Sequence, residues 1–240
     1  MRDNYLRIRA EGQVMVIKNS IRTNIGAGAR RNRHAPQPAW EVAMLFPEQG
    51  EWSEEDYLAL PGNRLMELSN GCLEVLPMPT PLHQWMVFYL CRLVEDFASR
   101  KGQGQVLPSP LPVQLWPGKF REPDVIYRSR KSRHRAREKF WEGADLAMEV
   151  VSDDPESRQR DLVAKREEYA KAGISEYWIV DPKRKRITVL RLQGNKYEIH
   201  GTYRPGQQAR SRLLRGFEVD VTAAFTGPSE IGTENNDENP

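Results

Sequence analysis

An alternation of strand-like and helix-like runs over residues 47–225 is the feature that most limits how this chain can fold. Asp145–Ser152 is apolar and rich in β-branched residues, as expected of a buried strand. After a break at Asp154-Pro155, Ser157–Ala172 has helical spacing, and Glu176–Val180 is again a short apolar run. The pattern predicts an α/β fold in which a mixed β-sheet is flanked by helices.

Local signals place a short helix and a hairpin at the start of this region. Ser53–Asp56 matches the capping-box pattern, which predicts a helix over Trp52–Leu60. Two strand-like runs, Arg64–Leu68 and Cys72–Pro77, flank the segment Ser69-Asn70-Gly71. Because Asn and Gly tolerate a positive φ, this segment predicts a β-hairpin.

A long helix is predicted next. Thr80 is a suitable N-cap, Pro81 is a suitable first helical residue, and apolar residues recur at helical spacing over Leu82–Arg100. Gly102 can end this helix. The remaining strand-like runs are Val106–Trp116, Glu122–Tyr127, Ile187–Leu192 and Lys196–His200.

The two ends of the chain differ in composition from the region between them. Residues 1–46 have weak periodicity and a segment, GAGARRNRHAPQP, with the composition of a poorly ordered region. We therefore expect a partly disordered N-terminal extension over residues 1–46, with one short strand at Gln13–Ile17. A folded domain is expected over residues 47–225, and an acidic disordered tail over residues 226–240.

Net charge says little about partners. The chain has a formal charge of +3, but residues 1–46 carry 8 basic and 3 acidic groups, and the tail from residue 227 carries four acids and no base. The residues between them are therefore close to neutral. No apolar run is long enough to cross a bilayer, and no secretory signal is visible. The two cysteines fit neither a disulfide framework nor a metal motif, so we expect a cytoplasmic protein with free thiols.

Two carboxylates on apolar strands point to metal chemistry. Asp124 lies where the strand of Glu122–Tyr127 becomes apolar, and Glu149 lies in the middle of Asp145–Ser152. An ionised Glu in such a run is costly unless it is paired or holds a metal. Carboxylate oxygens suit Mg²⁺ or Mn²⁺, and the backbone carbonyl of Val150 can add a third ligand. Such a site can serve hydrolysis of a phosphodiester.

The helix after Glu149 offers a cation. Asp161, Lys165 and Tyr169 are spaced i, i+4, i+8 and so share one face. If that face covers the strand ends, Lys165 can orient the attacking water or stabilise charge on the phosphate. The alternative is an exposed lysine paired with Asp161.

Two further residues carry open interpretations. Glu67 lies between Met66 and Leu68, so it is either a further metal ligand or the outward-facing member of an amphipathic strand. His83, in the first turn of its helix, is either structural or close to the metal ligands. The four histidines are scattered through the chain, which argues against a zinc site.

A basic stretch follows the strand that carries Asp124. It is either a solvated loop or a segment that contacts nucleic-acid phosphates. Its cations are Arg128, Arg130, Lys131, Arg133, Arg135, Arg137 and Lys139.

The order and the amino-acid sequences of several segments resemble those of a known family. LMELSNGCLEVLPMP comes first, then REPDVIY, DLAMEVVS and RDLVAKREEYAKAGISEYWIVDP. Over roughly residues 47–220 this series resembles the Uma2 family of restriction-endonuclease-like proteins, within the PD-(D/E)xK nuclease superfamily. The most specific segment is KREEYAKAGISEYWIVDP.

The resemblance implies a restriction-endonuclease-like sheet and a divalent-metal site. It makes Asp124 the acid of the PD motif and Glu149 the acid of the (D/E)xK motif, whereas Val151 stands where the superfamily lysine would be. Lys165 matches a lysine that Uma2-like sequences place in the following helix, and Glu67 matches an acid in the family's first hairpin.

Three functions remain open at this point. The first is an endonuclease that hydrolyses DNA with Mg²⁺ or Mn²⁺. The second is a catalytically silent nucleic-acid-binding or regulatory module, and the third is a hydrolase of another phosphate ester. A homodimer is also left open.

Overall fold

The computed structural model describes residues 5–10, 13–18, 46–60 and 65–227. The chain divides into two compact units, Met1–Phe46 and Pro47–Pro240. In the first unit, strand β1 (Tyr5–Ala10) pairs antiparallel with β2 (Gln13–Lys18), where one strand was predicted. The glycine- and arginine-rich part of the predicted extension and residues 228–240 of the predicted tail lie outside the described residues.

The second unit begins with the predicted helix and hairpin. Helix α1 (Glu54–Ala59) has the capping box of Ser53 and Asp56 at its start. Strands β3 (Met66–Ser69) and β4 (Cys72–Val75) then pair antiparallel. Asn70 and Gly71 between them have positive φ values of 50° and 78°, so the turn prediction is confirmed.

Helix α2 (Pro81–Lys101) also has the predicted ends, because the Thr80 side chain accepts the N–H of His83 and Gly102 has a left-handed conformation. The strands that follow it are β5 (Gly104–Pro108), β6 (Val113–Trp116), β7 (Lys119–Arg121), β8 (Val125–Ser129), β9 (Arg135–Ala136), β10 (Trp141–Glu142) and β11 (Leu146–Val150).

One helical stretch, five strands and a short final helix complete the unit. The helical stretch consists of α3 (Pro155–Gln159), a π-helical segment (Arg160–Ala164) and α4 (Lys165–Ala172), and Gly173 ends it as predicted. The last elements are β12 (Glu176–Asp181), β13 (Arg186–Gln193), β14 (Lys196–Tyr203), β15 (Gln208–Arg210), β16 (Glu218–Asp220) and helix α5 (Val221–Phe225).

The strands of the second unit form two mixed six-stranded sheets and a small antiparallel pair, β15–β16. The order is β4-β3-β7-β6-β10-β9 in the first sheet and β14-β13-β12-β11-β8-β5 in the second. The α/β fold class is confirmed, but two sheets replace the single sheet that was expected. Val106–Trp116 supplies a strand to each sheet, because Pro110 and Pro112 lack the N–H that a continuous ladder requires.

Helices cover both faces of the second sheet. On one face, the predicted apolar stripe of α2, including Met86, Leu90 and Val94, packs on strand residues such as Met148 and Trp178. On the other face, Tyr169 and Ala170 of α4 pack against Ala147, Tyr177 and Ile179. Burial on both faces explains why β11 and β12 are continuous apolar runs. No helix in the described part of the chain is long and apolar enough to cross a membrane.

Candidate active site

The two predicted carboxylates lie at one end of the second sheet. Strands β8 and β11 are antiparallel neighbours, with Val125 opposite Met148. Asp124 immediately precedes β8, and its Oδ2 accepts the N–H of Val150 at 2.7 Å. In an antiparallel pair, opposite residues point to the same face. Asp124 and Glu149 continue this register, so the strand pairing brings the two acids together.

Lys165 is the cation beside Glu149. Its Nζ lies 2.9 Å from Glu149 Oε1, 3.4 Å from Glu67 Oε1 and 3.3 Å from Asp161 Oδ1. The side chain is only 3% exposed, so the alternative of an exposed helix lysine is wrong. Tyr169 donates its hydroxyl to the same Glu149 oxygen at 2.5 Å. The three residues predicted to share a helix face therefore all point toward the carboxylates.

The helix that carries them changes its hydrogen bonding at this point. In the π-helical segment, the N–H of Lys165 reaches the carbonyl of Arg160, five residues earlier. Single π turns within α-helices are frequent at functional sites. This turn places Asp161 and Lys165 in contact, while Val151, at the superfamily's lysine position, is buried against the apolar residues of α4. The cation thus comes from the helix and not from the strand.

The side chains of Asp124, Glu149, Asp161 and Lys165 form what we call the carboxylate cluster, and Glu67 joins it from the first sheet. It is fully buried, so the interpretation as an outward-facing strand residue is wrong. Leu68 on the opposite face of β3 packs in the cluster that includes Phe120, and both faces of the strand are therefore covered. Glu67 accepts the guanidinium of Arg121 at 2.6 Å and the backbone N–H of Glu122 at 2.9 Å.

Arg121 is a residue of this cluster that the sequence did not reveal. Besides Glu67, it binds Glu74 and holds both oxygens of Glu168 on α4 at 2.7 and 2.9 Å. Lys119 also reaches Glu168, at 2.6 Å. The guanidinium joins the first sheet to α4. The sequence shows only a charged segment, Lys119–Glu122. The structure shows that this segment is buried throughout.

His83 lies on the other side of Asp124. Its Nε2 is 3.4 Å from Asp124 Oδ2, so the helix N-terminus brings the ring to the carboxylates. Burial alone would lower the pKa of His83, but hydrogen bonding and attraction to Asp124, with a hydrogen bond to the Val150 backbone, raise it on balance.

The protonation of the cluster reflects its burial and crowding. Burial and the neighbouring carboxylates outweigh Lys165 and raise the pKa of Glu149 to about 8. Burial also raises the pKa of Asp161. Against the effect of burial, Lys165 and Arg121 bring the pKa of Glu67 down to about 2. The carboxylates in turn raise the pKa of Lys165, which stays an ammonium. Perturbations of this kind are typical of functional sites.

A cavity of about 60 Å³ gives access to the cluster. Asp124, Glu149, Val150, Asp161 and Lys165 line it. Its further lining residues, which sequence reasoning did not single out, include Ser109, Glu122 and Arg160.

The donor set fits a hard divalent cation in its chemistry. Apart from His83, the candidate ligands are carboxylate oxygens, and Val150 lines the same cavity. Asp161 Oδ1 is buried and accepts no hydrogen bond from any described residue. However, the described ranges contain no group of three or more His, Cys, Asp or Glu side chains that could hold a metal ion. The predicted ligands Asp124, Glu149, Val150 and Glu67 stay a prediction.

The first half of the basic stretch, residues 128–133, is not brought to the carboxylates, whereas its second half returns to the first sheet, where Arg135 belongs to β9 and Lys139 donates to the Leu58 carbonyl. Asp124 precedes the first residue of β8, whereas the stretch begins at its last residues, about 13 Å farther along the strand. The backbone N–H of Arg130 is held by Gln103 after α2, and Arg133 reaches the carbonyl of Gly173 after α4. Both helices begin near the carboxylates and end at this opposite edge. Phosphate contact by the stretch stays a prediction.

Comparison with known proteins agrees with this architecture. A search of curated proteins finds no match to the chain. The fold is similar to the crystal structure of a protein from Anabaena variabilis ATCC 29413, described as "a putative nuclease belonging to DUF820". That structure is 16% identical, with a TM-score of 0.59, and the similarity covers 72% of this chain and 97% of that one.

The family model of Uma2, whose description reads "Putative restriction endonuclease", matches residues 54–222. This range contains both sheets, α1 to α4, and all the residues of the carboxylate cluster. The match extends over more than half of the chain, and the chain belongs to the Uma2 family.

Proposed function

We propose that this protein is a divalent-metal-dependent endonuclease that hydrolyses DNA phosphodiester bonds at the cluster of Asp124, Glu149 and Lys165. The observation that carries the proposal is the buried ammonium of Lys165, 2.9 Å from Glu149, beside a cavity lined by both acids. A fixed cation next to a pair of hard oxygen ligands is what phosphodiester hydrolysis requires. Membership of Uma2 supports the reaction class.

In this proposal each residue has a separate task. Asp124, Glu149 and the Val150 carbonyl would hold Mg²⁺ or Mn²⁺, with Glu67 as a further ligand. When bound, the metal would polarise the phosphate and lower the pKa of a bound water. Lys165 stabilises negative charge on the phosphate.

Three neighbours position these groups. The Tyr169 hydroxyl fixes the Glu149 carboxylate through its 2.5 Å hydrogen bond. Asp161 contacts Lys165 one helical turn before it, and His83 contacts Asp124. Each of them limits the movement of a reacting side chain, which favours a productive geometry.

Plasmid cleavage tests the proposal. Supercoiled DNA is incubated with wild type and with Glu149→Ala, each with Mg²⁺, with Mn²⁺ and with EDTA. We expect nicking or linearisation by wild type only, and only with metal. Glu218→Ala, which removes an exposed acid remote from the cluster, is the matched control and should cleave normally. Equal cleavage by wild type and Glu149→Ala would refute the assignment.

A specific observation also favours a second candidate, a catalytically silent nucleic-acid-binding module. Lys165 already pairs with Glu149, and the described residues contain no group of three or more His, Cys, Asp or Glu side chains that could hold a metal ion. A silent module would bind DNA equally well with EDTA and with Mg²⁺, and it would leave the plasmid intact under both conditions. The cleavage assay, combined with a binding measurement, separates the two functions.

A further inference from the structure

A second group of basic residues lies at the same sheet edge as the carboxylates. The hairpin between β12 and β13 turns through Pro182–Lys185, with Asp181 opposite Arg186. Between residues 182 and 197 the chain has no acidic residue. We call five cations the basic rim: Arg158, Lys183, Arg184, Lys185 and Arg186.

Strand register gives the distance of the basic rim from the cluster. Glu149 of β11 lies opposite Ile179 of the parallel neighbour β12, and Asp181 is two residues farther on. Two residues along a strand and one strand across correspond to about 8 Å. This distance is short enough for the basic rim to reach a phosphate within a few nucleotides of one bound at the cluster.

Asp181 fixes the basic rim in place. It is buried, and its two oxygens hold the Arg158 guanidinium at 3.2 and 2.7 Å. Oδ1 also accepts the backbone N–H of Arg184, so one carboxylate joins α3 to the hairpin turn. The Arg184 side chain is 56% exposed, and Lys183 and Lys185 are also exposed. The turn is therefore rigid at its base and cationic at its tip.

The acidic residues nearby do not cancel this charge. Asp154 is occupied as the N-cap of α3, because its side chain accepts the N–H of Ser157. Asp153 attracts Arg158, and Asp181 lies 3.9 Å from the Nε of Arg184 as well as beside Arg158, so within the turn Lys183 and Lys185 are the exposed cations with no acid at ion-pair distance among the described residues. The Nε of Arg186 is buried and hydrogen-bonds to no described group. Arg160, which lines the cavity, lies between Arg158 and Lys165 along the same helical stretch.

We propose that the basic rim binds the phosphate backbone of the nucleic-acid strand on one side of the scissile bond. The inference rests on the proposed function, since it takes the carboxylate cluster as the reacting centre. It places phosphate contact at the hairpin of β12 and β13 and not at residues 128–133, which lie at and beyond the opposite end of β8. Arginine forks and exposed lysines are the groups that bind phosphates without regard to sequence.

Two variants of equal charge loss test the inference. The rim variant combines Lys183→Gln, Arg184→Gln and Lys185→Asn, where Asn suits the positive φ of 44° at position 185. The matched control combines Arg130→Gln, Lys131→Gln and Arg135→Gln, which are also exposed. Binding of a fluorescein-labelled 20-bp duplex is followed by anisotropy from 50 to 200 mM KCl, in EDTA so that no cleavage occurs.

The rim variant should bind at least tenfold more weakly than wild type at 100 mM KCl. Its salt slope should fall by roughly two to three, at about 0.9 for each phosphate that the protein no longer neutralises. The control should show a distinctly smaller decrease in affinity. Equal decreases in the two variants, a larger decrease in the control, or no binding of the duplex by wild type would overturn the inference.

The same proteins separate this inference from the proposed function. Metal-dependent plasmid cleavage that is lost in Glu149→Ala supports the nuclease whatever the rim variant does. Conversely, weakened binding by the rim variant, together with no cleavage by wild type, supports phosphate binding by the basic rim and refutes the proposed nuclease activity.

Discussion

Replacing Lys165 with Met removes the positive charge at the centre of the carboxylate cluster while keeping the length of the side chain. Three carboxylates lie within 3.4 Å of its ammonium, and the lysine is 3% exposed. Breaking a buried ion pair by removing one partner costs about 3–5 kcal/mol, and we expect a loss of that size in the free energy of unfolding. If the ammonium also stabilises the transition state, cleavage should slow on the order of a hundredfold or more.

Single-turnover plasmid cleavage, Mn²⁺ calorimetry and urea unfolding measure these effects on one preparation. Lys171→Met is the matched control on the same helix, because Lys171 is exposed and lies over the Trp116 ring. That contact is worth about 0.5–1 kcal/mol, so the control should cleave normally. Slower cleavage with nearly intact Mn²⁺ binding supports a catalytic Lys165. A normal cleavage rate with lower stability would show that Lys165 is only a structural ion-pair partner.

Three further predictions concern separate contacts. Asp124→Ala should abolish Mn²⁺ binding in calorimetry, because it removes a proposed ligand. Arg121→Ala should lower the free energy of unfolding in urea by about 3–5 kcal/mol, since it leaves the fully buried Glu67 without its guanidinium. Burial alone would raise the pKa of Asp181, but Arg158 and other hydrogen-bond donors lower it on balance. The Arg158–Asp181 pair therefore stabilises the fold at pH values above the pKa of Asp181 in the unfolded chain. This stabilisation is lost as the pH falls through the lower pKa of Asp181 in the folded protein. Arg158→Ala should therefore flatten the acid limb of the stability curve, measured by thermal unfolding between about pH 2 and 6.

An exposed ion pair, Arg210 with Glu218 at 3.0 Å, supplies the controls. Glu218→Ala should leave Mn²⁺ binding unchanged, and Arg210→Ala should cost less than about 1 kcal/mol. Retained Mn²⁺ binding by Asp124→Ala would contradict the ligand assignment. Arg121 would be a dispensable contact if its loss cost no more than that of Arg210. A stability curve of unchanged shape in Arg158→Ala would exclude the Arg158–Asp181 pair as a source of the acid sensitivity.

Local sequence signals predicted those parts of the fold that depend on neighbouring residues. Asn70-Gly71 fixes its turn through backbone conformation, and Thr80 and Gly102 fix the ends of α2 through caps. The face shared by Asp161, Lys165 and Tyr169 was also predictable, because helical spacing alone determines it. In each case the cause lies within a few residues of its effect.

The parts that could not be predicted depend on distant partners. Strand β7 contains Lys119 and Arg121, and its burial makes sense only with Glu67 and Glu168, about 50 residues away on either side. Strands β9 and β10 have two residues each, too few to show any periodicity. The basic stretch after β8 was associated with Asp124 by sequence order. A strand carries the chain away from its first residue, so a segment that follows β8 lies far from the residue that precedes it.

The cluster takes its residues from two sheets, and this division has a consequence for hydrogen exchange and enzyme competence. Glu67 belongs to the first sheet, whereas Asp124 and Glu149 belong to the second, and Arg121 joins the two through α4. Local opening of the short β3–β4 pair would withdraw Glu67 while the second sheet stayed intact. The fraction of molecules with a complete site is then set by the opening free energy of the less stable sheet and not by global unfolding. Amide protection of β3 therefore reports on the fraction of molecules in which the site is assembled.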